Sequence, residues 1–337
     1  MTSGLLSRSP EEGARLLALS FLDQAAAARP RLADPADTEA LHDFRVGLRR
    51  LRSCLRAYRD CLEDSVPKKL ARKLRRLASS TGPGRDAEVQ IEWLRGRRSH
   101  LSSYHRAGLA WLLGRLEERM RDAYAKLAAE VDRDFQDLER ELRPRLSVYR
   151  TEVHLDAAAP LATLGETTAG ILRRQVSELT DHLARIADAD DEEEAHRARI
   201  SAKRVRYLLE PFVEEIPEAG AVVKRFKVLQ DLLGDLHDAH VLELEIAEAL
   251  EHAAAERTRR LLEISLANEP DDKLLRAERR RPHESGLITL ARFNRARRNR
   301  LFATLKADWL DGKAEDFLRE VEGLGKAMTF DSRASSP

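Results

Sequence analysis

Two stretches of the chain carry histidine, arginine and lysine at intervals of three and four residues. We call them basic row 1, which is His42, Arg45, Arg49, Arg52, Arg56 and Arg59, and basic row 2, which is His196, Arg199, Lys203 and Arg206. These intervals place side chains along one face of an α-helix. Guanidinium groups bind phosphate through two parallel charge-assisted hydrogen bonds, and an ammonium adds a point charge. The spacing therefore predicts two helical surfaces that suit a phosphate-bearing polyanion.

Uninterrupted basic rows have a cost that argues for a ligand. Like charges three or four residues apart on a helix repel each other by about 0.2–0.5 kcal/mol per pair. A face needed only for solubility usually interleaves acids with bases. The alternative explanation, a solvated face in an arginine-rich protein, accounts for one such row more easily than for two rows in matching positions. An anionic partner is therefore the favoured interpretation.

Each basic row lies beside an apolar row on the same predicted helix. The apolar residues are Leu41, Phe44, Leu48, Leu51, Leu55, Tyr58 and Leu62 in the first helix, and Ala195, Ala198, Ala202, Val205, Leu209 and Phe212 in the second. Successive residues are about 100° apart around a helix. The basic row is offset from the apolar row by one residue, so it flanks the face that is turned to the core.

Further bases adjoin the rows. The predicted binding residues are His42, Arg45, Arg49, Arg50, Arg52, Arg56, Lys69, Arg72, Lys73, Arg76, His196, Arg199, Lys203, Arg204, Arg206, Lys224, Arg225 and Lys227. Residues 42–76 hold twelve Lys or Arg against four acids, and residues 196–227 hold eight against four. Because the formal net charge of the whole chain is only +1, the remainder is net negative. This segregation, more than the total charge, steers a charged ligand.

The two rows belong to a longer internal repeat. Residues 41–52 align with residues 195–206, a shift of about 154, and residues 82–86 align with residues 234–238. Self-similarity at this distance predicts two related halves. We place the first half at 1–155, the second at 156–330, and a tail at 331–337.

Composition and periodicity predict an all-α protein. The 337 residues are 42% hydrophobic and 35% charged, only 5% are aromatic, and Gly (16) and Pro (12) are scarce. Such helix-forming composition does not suit a β-sandwich, a β-barrel or a doubly wound sheet. Apolar periodicity and helix breakers predict helices at 10–29, 36–63, 66–81, 85–97, 103–142, 161–187, 192–214, 217–234, 236–266, 286–310 and 313–328. Antiparallel helices with short loops indicate bundles.

Several classes of protein do not fit the sequence. Cys54 and Cys61 lie seven residues apart on one predicted helix, too far for a disulfide between them. The N-terminus is a poor signal peptide, and no apolar run reaches the length of a membrane span. We therefore expect a cytoplasmic protein. No Gly-rich phosphate loop of the Walker type is present.

The repeated motif resembles the signature of the CHAD family, the conserved-histidine α-helical domain. The signature His-x-x-Arg-x-x-x-(Arg/Lys)-Arg-x-Arg is present at residues 42–52 and again at residues 196–206, and the family's later Gly-x-x-(Arg/His)-Asp element resembles residues 82–86 and 234–238. The resemblance covers residues 10–320. It implies two pseudo-symmetric four-helix bundles with a basic channel between them, binding of inorganic polyphosphate, and, in some members, association with polyphosphate granules. Because the residues show no assembled catalytic set, we expect no catalysis and no cofactor. Glu210 and Val213 depart from the basic pattern, and so does the turn at residues 82–84.

Two other functions remain open at this stage. A nucleic-acid binder would also need phosphate contacts, and residues 292–300 interleave an aromatic with arginines. A polyphosphate-processing enzyme would need carboxylates to hold a metal, for which Asp86 and Asp238 occupy matching repeat positions. His237 and His240 have the spacing of metal ligands, but arginine one turn from each signature histidine disfavours a divalent ion there. We therefore expect no bound metal and regard nucleic acid as the less favoured partner.

Overall fold

The computed structural model describes residues 4–34, 37, 39–148, 162–267, 271–279 and 283–330. Within these ranges the regular secondary structure is helical throughout, which confirms the predicted all-α class. The α-helices are α1 (Pro10–Ala28), α2 (Ala40–Ala57), α3 (Lys68–Ser80), α4 (Gly82–Arg95), α5 (Arg106–Ser147), α6 (Leu164–Ala184), α7 (Glu192–Leu209), α8 (Pro217–Ser265), α9 (Asp272–Arg279), α10 (His283–Trp309) and α11 (Glu315–Phe330). None of these helices has the length and apolar run that a membrane crossing requires.

The structure differs from the predicted helices in the second half. The predicted break after Gly234 is wrong, because α8 runs unbroken from Pro217 to Ser265. Glycine inside a helix costs only about 1 kcal/mol, and burial of the flanking Leu233 and Leu236 outweighs it. In the first half α3 does end at Ser80 and a new helix starts at Gly82, since Pro83 has no N–H for a continuing helix. Helix α9 was not predicted.

The apolar row of α2 fixes how basic row 1 is presented. Phe44, Leu48 and Leu51 are fully buried, and the ring of Phe44 meets Phe135 of α5 edge-on at 5.2 Å between centroids. On the α1 side, the backbone of Gly47 lies directly against Ala25. These contacts hold α2 between α1 and α5 and leave its basic row at the margin of the core.

Helix α7 packs in a similar way with smaller side chains. Ala198, Ala202 and Val205 are fully buried, and α7 packs against both α6 and α8. The side chain of Gln230 on α8 donates a hydrogen bond to the carbonyl oxygen of Ala202 at 3.0 Å. Alanine at these positions lets the neighbouring helices approach closely, so basic row 2 lies near the backbone of α8.

Residues of both predicted halves share their cores. The hydroxyl groups of Tyr58, which directly follows α2, and Thr168 on α6 are hydrogen-bonded at 2.8 Å, and α2 contacts α7 directly. A second apolar core unites α4, α5, α8 and α10. The predicted boundary at residue 155 and the tail at 331–337 lie outside the described residues, and the division into two pseudo-symmetric bundles stays a prediction.

Candidate anion-binding site

The contact between α2 and α7 brings the two basic rows together. Arg49 of α2 lies close enough to Arg199 and Lys203 of α7 to lower the pKa of both by charge repulsion. Arg52 lies beside Arg49 and beside Tyr207 of α7. We call Arg49, Arg52, Arg199 and Lys203 the central basic cluster. Residues 150 positions apart in the sequence thus form one positive surface.

No member of the central basic cluster has a carboxylate at ion-pair distance within the described part of the chain. None of the four cations forms an ion pair with a carboxylate, although ion pairs are frequent elsewhere in the structure. The buried Nε of Arg199 also has no hydrogen-bond partner. A buried donor without an acceptor costs about 1–3 kcal/mol. An anion that supplied oxygen atoms here would remove that cost and the mutual repulsion.

Lys203 is the most perturbed cation of the cluster. Burial lowers the pKa of its ammonium to about 7, and repulsion from Arg199, Arg49 and Arg206 acts in the same direction. Asp238 opposes these effects only weakly. In the absence of a ligand, the pKa of Lys203 is therefore close to neutral pH, where the ammonium is partly deprotonated.

Two carboxylates from the repeated Gly-x-x-(Arg/His)-Asp element lie at the edge of the cluster. Asp238 and Asp86 both interact with Arg199. Burial raises the pKa of Asp238, Arg199 and His237 oppose this rise, and the nearby charge of Asp86 adds to it. The matching positions of the repeat thus approach each other around one arginine.

Four predicted binding residues are engaged in ion pairs within the protein. Lys73 contacts Glu141 of α5 at 3.1 Å, and Arg204 contacts Glu178 of α6 at 3.0 Å. Arg50 and Arg206 both pair with Glu210, at 3.1 and 3.4 Å. Lys73, Arg204 and Arg50 have partners from distant segments, which a pattern along one helix does not reveal. Arg206 pairs with Glu210 only four residues later in the sequence.

Two more predicted residues serve the packing. Arg45 is buried and donates a hydrogen bond to the carbonyl oxygen of Thr81 at the end of α3, where a cation also interacts favourably with the helix dipole. Basic row 1 is therefore interrupted at this residue. The guanidinium of Arg225 lies 4.3 Å from the ring centre of Phe317 and 5.6 Å from that of Trp309. Cation–π contacts of this kind direct the charge toward α11.

The remaining predicted residues are exposed or half-buried at the surface. Arg75 of α3 acts on Arg52 by repulsion, and it lines an open groove on α3 with Lys68, Ala71 and Arg72. Helix α3 thus extends the central basic cluster. The other exposed bases are His42, Arg56, Lys69, Arg76, Lys224 and Lys227.

His196 at the start of basic row 2 belongs to a cluster of its own. Its ring centre lies 4.9 Å from that of His237, and Nδ1 of His237 lies 2.9 Å from Oε1 of Glu192. Burial lowers the pKa of His196, and the neighbouring His237 and Arg199 add to the effect. Among the described residues this is the one group of three side chains whose ligand atoms lie close enough for a metal ion. His237 thus faces His196 rather than His240, and the expectation of no bound metal stays a prediction.

Tyr207 is a cluster neighbour that the sequence did not reveal. Its phenol interacts with both Arg52 and Arg199, and the guanidinium of Arg206 lies 4.8 Å from its ring centre. Helical periodicity placed Tyr207 outside basic row 2, because that periodicity describes one helix only. The packing of α7 against α2 places Tyr207 beside the central basic cluster.

The basic run at residues 292–300 is tied to carboxylates. Arg298 is 3% exposed, contacts Glu243 at 2.7 Å and pairs with Asp190. The hydrogen bond that Arg298 donates to Asp190 holds the pKa of that carboxyl group below its usual range. Arg297 contacts Asp235 at 2.8 Å. The acidic loop before α7 is thus an anchor for α10, and Arg295, Arg297 and Arg298 of the run are paired within the protein.

Comparisons with known proteins agree with the signature. The family model of the CHAD domain matches residues 17–247. The crystal structure of the CHAD domain from the plant Ricinus communis is 20% identical, with a TM-score of 0.57 over 94% of this chain and 92% of that one. PptA from Streptomyces chartreusis is 14% identical, with a TM-score of 0.57 over 95% and 99%. No curated protein matches the chain. At these identities the two structures show similarity of fold.

Proposed function

Because this chain belongs to the CHAD-domain family, we propose that it binds inorganic polyphosphate at the central basic cluster and the adjoining bases of α3, without catalysing a reaction. The observation that carries the proposal is that Arg49, Arg52, Arg199 and Lys203 meet with no carboxylate at ion-pair distance among the described residues. We further propose a cytoplasmic location, including polyphosphate granules where this polymer accumulates.

The chemistry of the polymer suits such a cluster. Internal phosphates of polyphosphate each carry one negative charge and expose only oxygen atoms. Arg49 and Arg52 are exposed on α2, whereas Arg199 and Lys203 are partly buried on α7. A flexible chain of phosphates can contact both helices at once, and each contact replaces repulsion between cations with attraction. The exposed bases of α3 offer a continuation of the same path.

Nucleic acid is the less favoured ligand because the cluster offers little for a base. Proteins that bind single strands without sequence preference stack the bases on aromatic rings. The ring of Tyr207 already has Arg206 against it. Trp93 of α4 has the guanidiniums of Arg97 and Arg297 at 5.4 and 5.6 Å. Phosphate contacts alone would not distinguish RNA or DNA from polyphosphate, and the higher charge density of polyphosphate favours the latter.

A competition experiment tests this function directly. We expect long-chain polyphosphate to displace a labelled single-stranded RNA or DNA of similar total charge at physiological salt. We also expect log K to fall linearly with log salt, with a slope that indicates several ion contacts. Fluorescence anisotropy at several salt concentrations measures both. Equal or tighter binding of nucleic acid would contradict the proposal.

We propose separately that the protein does not catalyse a reaction on polyphosphate. Arg199 is within electrostatic reach of both Asp86 and Asp238, and a divalent cation at the two carboxylates would be repelled by it. Burial also raises the pKa of Asp238, which makes its charged form less available. We infer that the two carboxylates orient Arg199.

We therefore expect no release of orthophosphate when the protein is incubated with polyphosphate and Mg²⁺ or Mn²⁺. A colorimetric phosphate assay against a buffer control measures this. Sustained release that disappears in Asp86→Asn or Asp238→Asn would show that the pair is catalytic. Release that persists in both variants would indicate a contaminating enzyme.

A further inference from the structure

Lys203 occupies a position in which its charge depends on what surrounds it. Lys203 is half-buried in α7, and Arg199, Arg206 and His196 lie four residues before, three after and seven before it on the same face of that helix. Helix α2, which carries Arg49, packs against α7. Asp238 of α8 acts on the ammonium with the opposite sign. Asp86 of α4 interacts with Arg199, the neighbour of Lys203 on α7. Helix α6, the other neighbour of α7, directs Glu178 to Arg204 instead. Cations therefore outnumber anions around a half-buried ammonium that has no ion-pair partner.

We propose that polyphosphate binding is coupled to proton uptake by Lys203, so that the affinity falls as the solution becomes alkaline. This inference rests on the proposed function, since it requires a polyanion at the central basic cluster. It adds a regulatory property that neither the fold nor the basic rows imply by themselves. The protein would hold polyphosphate more tightly at neutral and mildly acidic pH than at pH 8.5.

The direction of the effect follows from linkage. Burial and the neighbouring guanidiniums hold the pKa of free Lys203 at about 7. Phosphate oxygens beside the ammonium stabilise its charged form and raise that pKa in the complex. Well below pH 7 Lys203 is charged with or without ligand, and the affinity is at its maximum. Above pH 7 the complex must take up a proton, so the affinity falls with each pH unit until the pKa of the complex is reached.

Other titrating groups lie near the same ligand path. Burial lowers the pKa of His196, and a bound polyanion would oppose that effect, so His196 can also contribute to proton uptake. Burial raises the pKa of the Asp238 carboxyl group. The terminal phosphates of polyphosphate titrate near neutrality, and a long chain makes their share small. Variants of Lys203 therefore have to separate its share of the proton uptake from that of the other groups.

Isothermal titration calorimetry of the full chain with long-chain polyphosphate provides the test. At pH 7.5, titrations in two buffers of different ionisation enthalpy count the protons taken up. We expect a net uptake of less than one proton per bound protein, and an affinity that falls about tenfold from pH 6.5 to pH 8.5. No uptake with a pH-independent affinity would overturn the inference and leave the proposed function intact. No binding at any pH would overturn the proposed function itself.

Variants assign the proton to a residue. Lys203→Arg keeps the charge but does not titrate, so we expect binding with a smaller proton uptake and a flatter pH profile. Lys203→Met should bind more weakly, also with a flatter profile, and serves if the arginine does not fit. Lys326→Arg on α11, an exposed lysine outside the cluster, should behave as wild type. An unchanged pH profile and proton count in a folded Lys203 variant would show that another group takes the proton.

Discussion

Replacement of both Arg49 and Arg52 with glutamine is expected to weaken polyphosphate binding at least tenfold, which corresponds to about 1.4 kcal/mol. The two arginines are exposed on α2, and they supply the α2 side of the central basic cluster. Loss of two ion contacts should also flatten the dependence of the affinity on salt. Titrations at three salt concentrations measure both quantities.

The same substitution is expected to preserve or raise the melting temperature. Partial desolvation of the Arg52 guanidinium, whose side chain still reaches the solvent, lowers its pKa, and the nearby charges of Arg56, Arg75 and Arg49 add to the effect. Removal of two of these charges relieves repulsion between like charges. Circular dichroism during heating measures the change. A marked loss of stability would mean that the pair holds the fold, and the binding result would then not report on the ligand.

A matched control separates a local site from general charge. Arg140 on α5 and Arg319 on α11 are exposed, and each pairs with an aspartate of its own helix. Replacement of both with glutamine also removes two positive charges, but outside the basic rows. We expect a small change in affinity. If both double variants lose the same affinity, the ligand senses only the net charge of the protein, and the proposal of a defined cluster is wrong.

The sequence was sufficient to predict what depends on one helix at a time. The three-and-four spacing of Phe44, Leu48 and Leu51 predicts a buried face, and these residues are fully buried. The same spacing of Ala198, Ala202 and Val205 predicts the buried face of α7. Local periodicity reports reliably on such faces because burial acts on each side chain according to its direction around the helix.

What the sequence could not reveal depends on partners from distant segments. Arg45 follows the spacing of basic row 1, but Thr81 supplies a carbonyl that draws it into the interior. Arg225 looks like a surface base, but Phe317 lies beneath it. Tyr207 lies outside its basic row, but α2 meets α7 on that side. Each case is decided by tertiary packing, which overrides a local pattern.

The two halves also contribute unequally to the site, and one residue explains much of this. Glu210 occupies the position that Arg56 has in the first repeat. In the structure its carboxylate contacts Arg50 of α2 and Arg206 of α7. One acid thus replaces a repulsive charge with a link between the two helices. The loss of a base from the pattern therefore stabilises the contact that brings the basic rows together.

The position of basic row 1 depends on the absence of a side chain at Gly47. A Cβ atom at Gly47 would lie 2.8 Å from the backbone nitrogen of Ala25 and 3.0 Å from its Cα. Backbone atoms of a packed helix cannot move aside as a flexible side chain can. We expect Gly47→Ala to separate α1 from α2 and to lower the free energy of unfolding by about 1–3 kcal/mol. Equilibrium unfolding in urea measures this change.

Gly114→Ala is the matched control, because it makes the same substitution inside a helix without a clash. Gly114 is exposed in α5, and a Cβ there would meet nothing within 4 Å. Alanine has the higher helix propensity, so this variant should be more stable than wild type by about 0.5–1 kcal/mol. The opposite signs isolate the close approach of α1 and α2 from helix propensity. A stabilising effect at both positions would show that α2 has room to shift and that its packing on α1 does not fix the basic row. If Gly47→Ala is destabilised as expected, its affinity for polyphosphate should also fall, since α2 carries Arg49 and Arg52 with it.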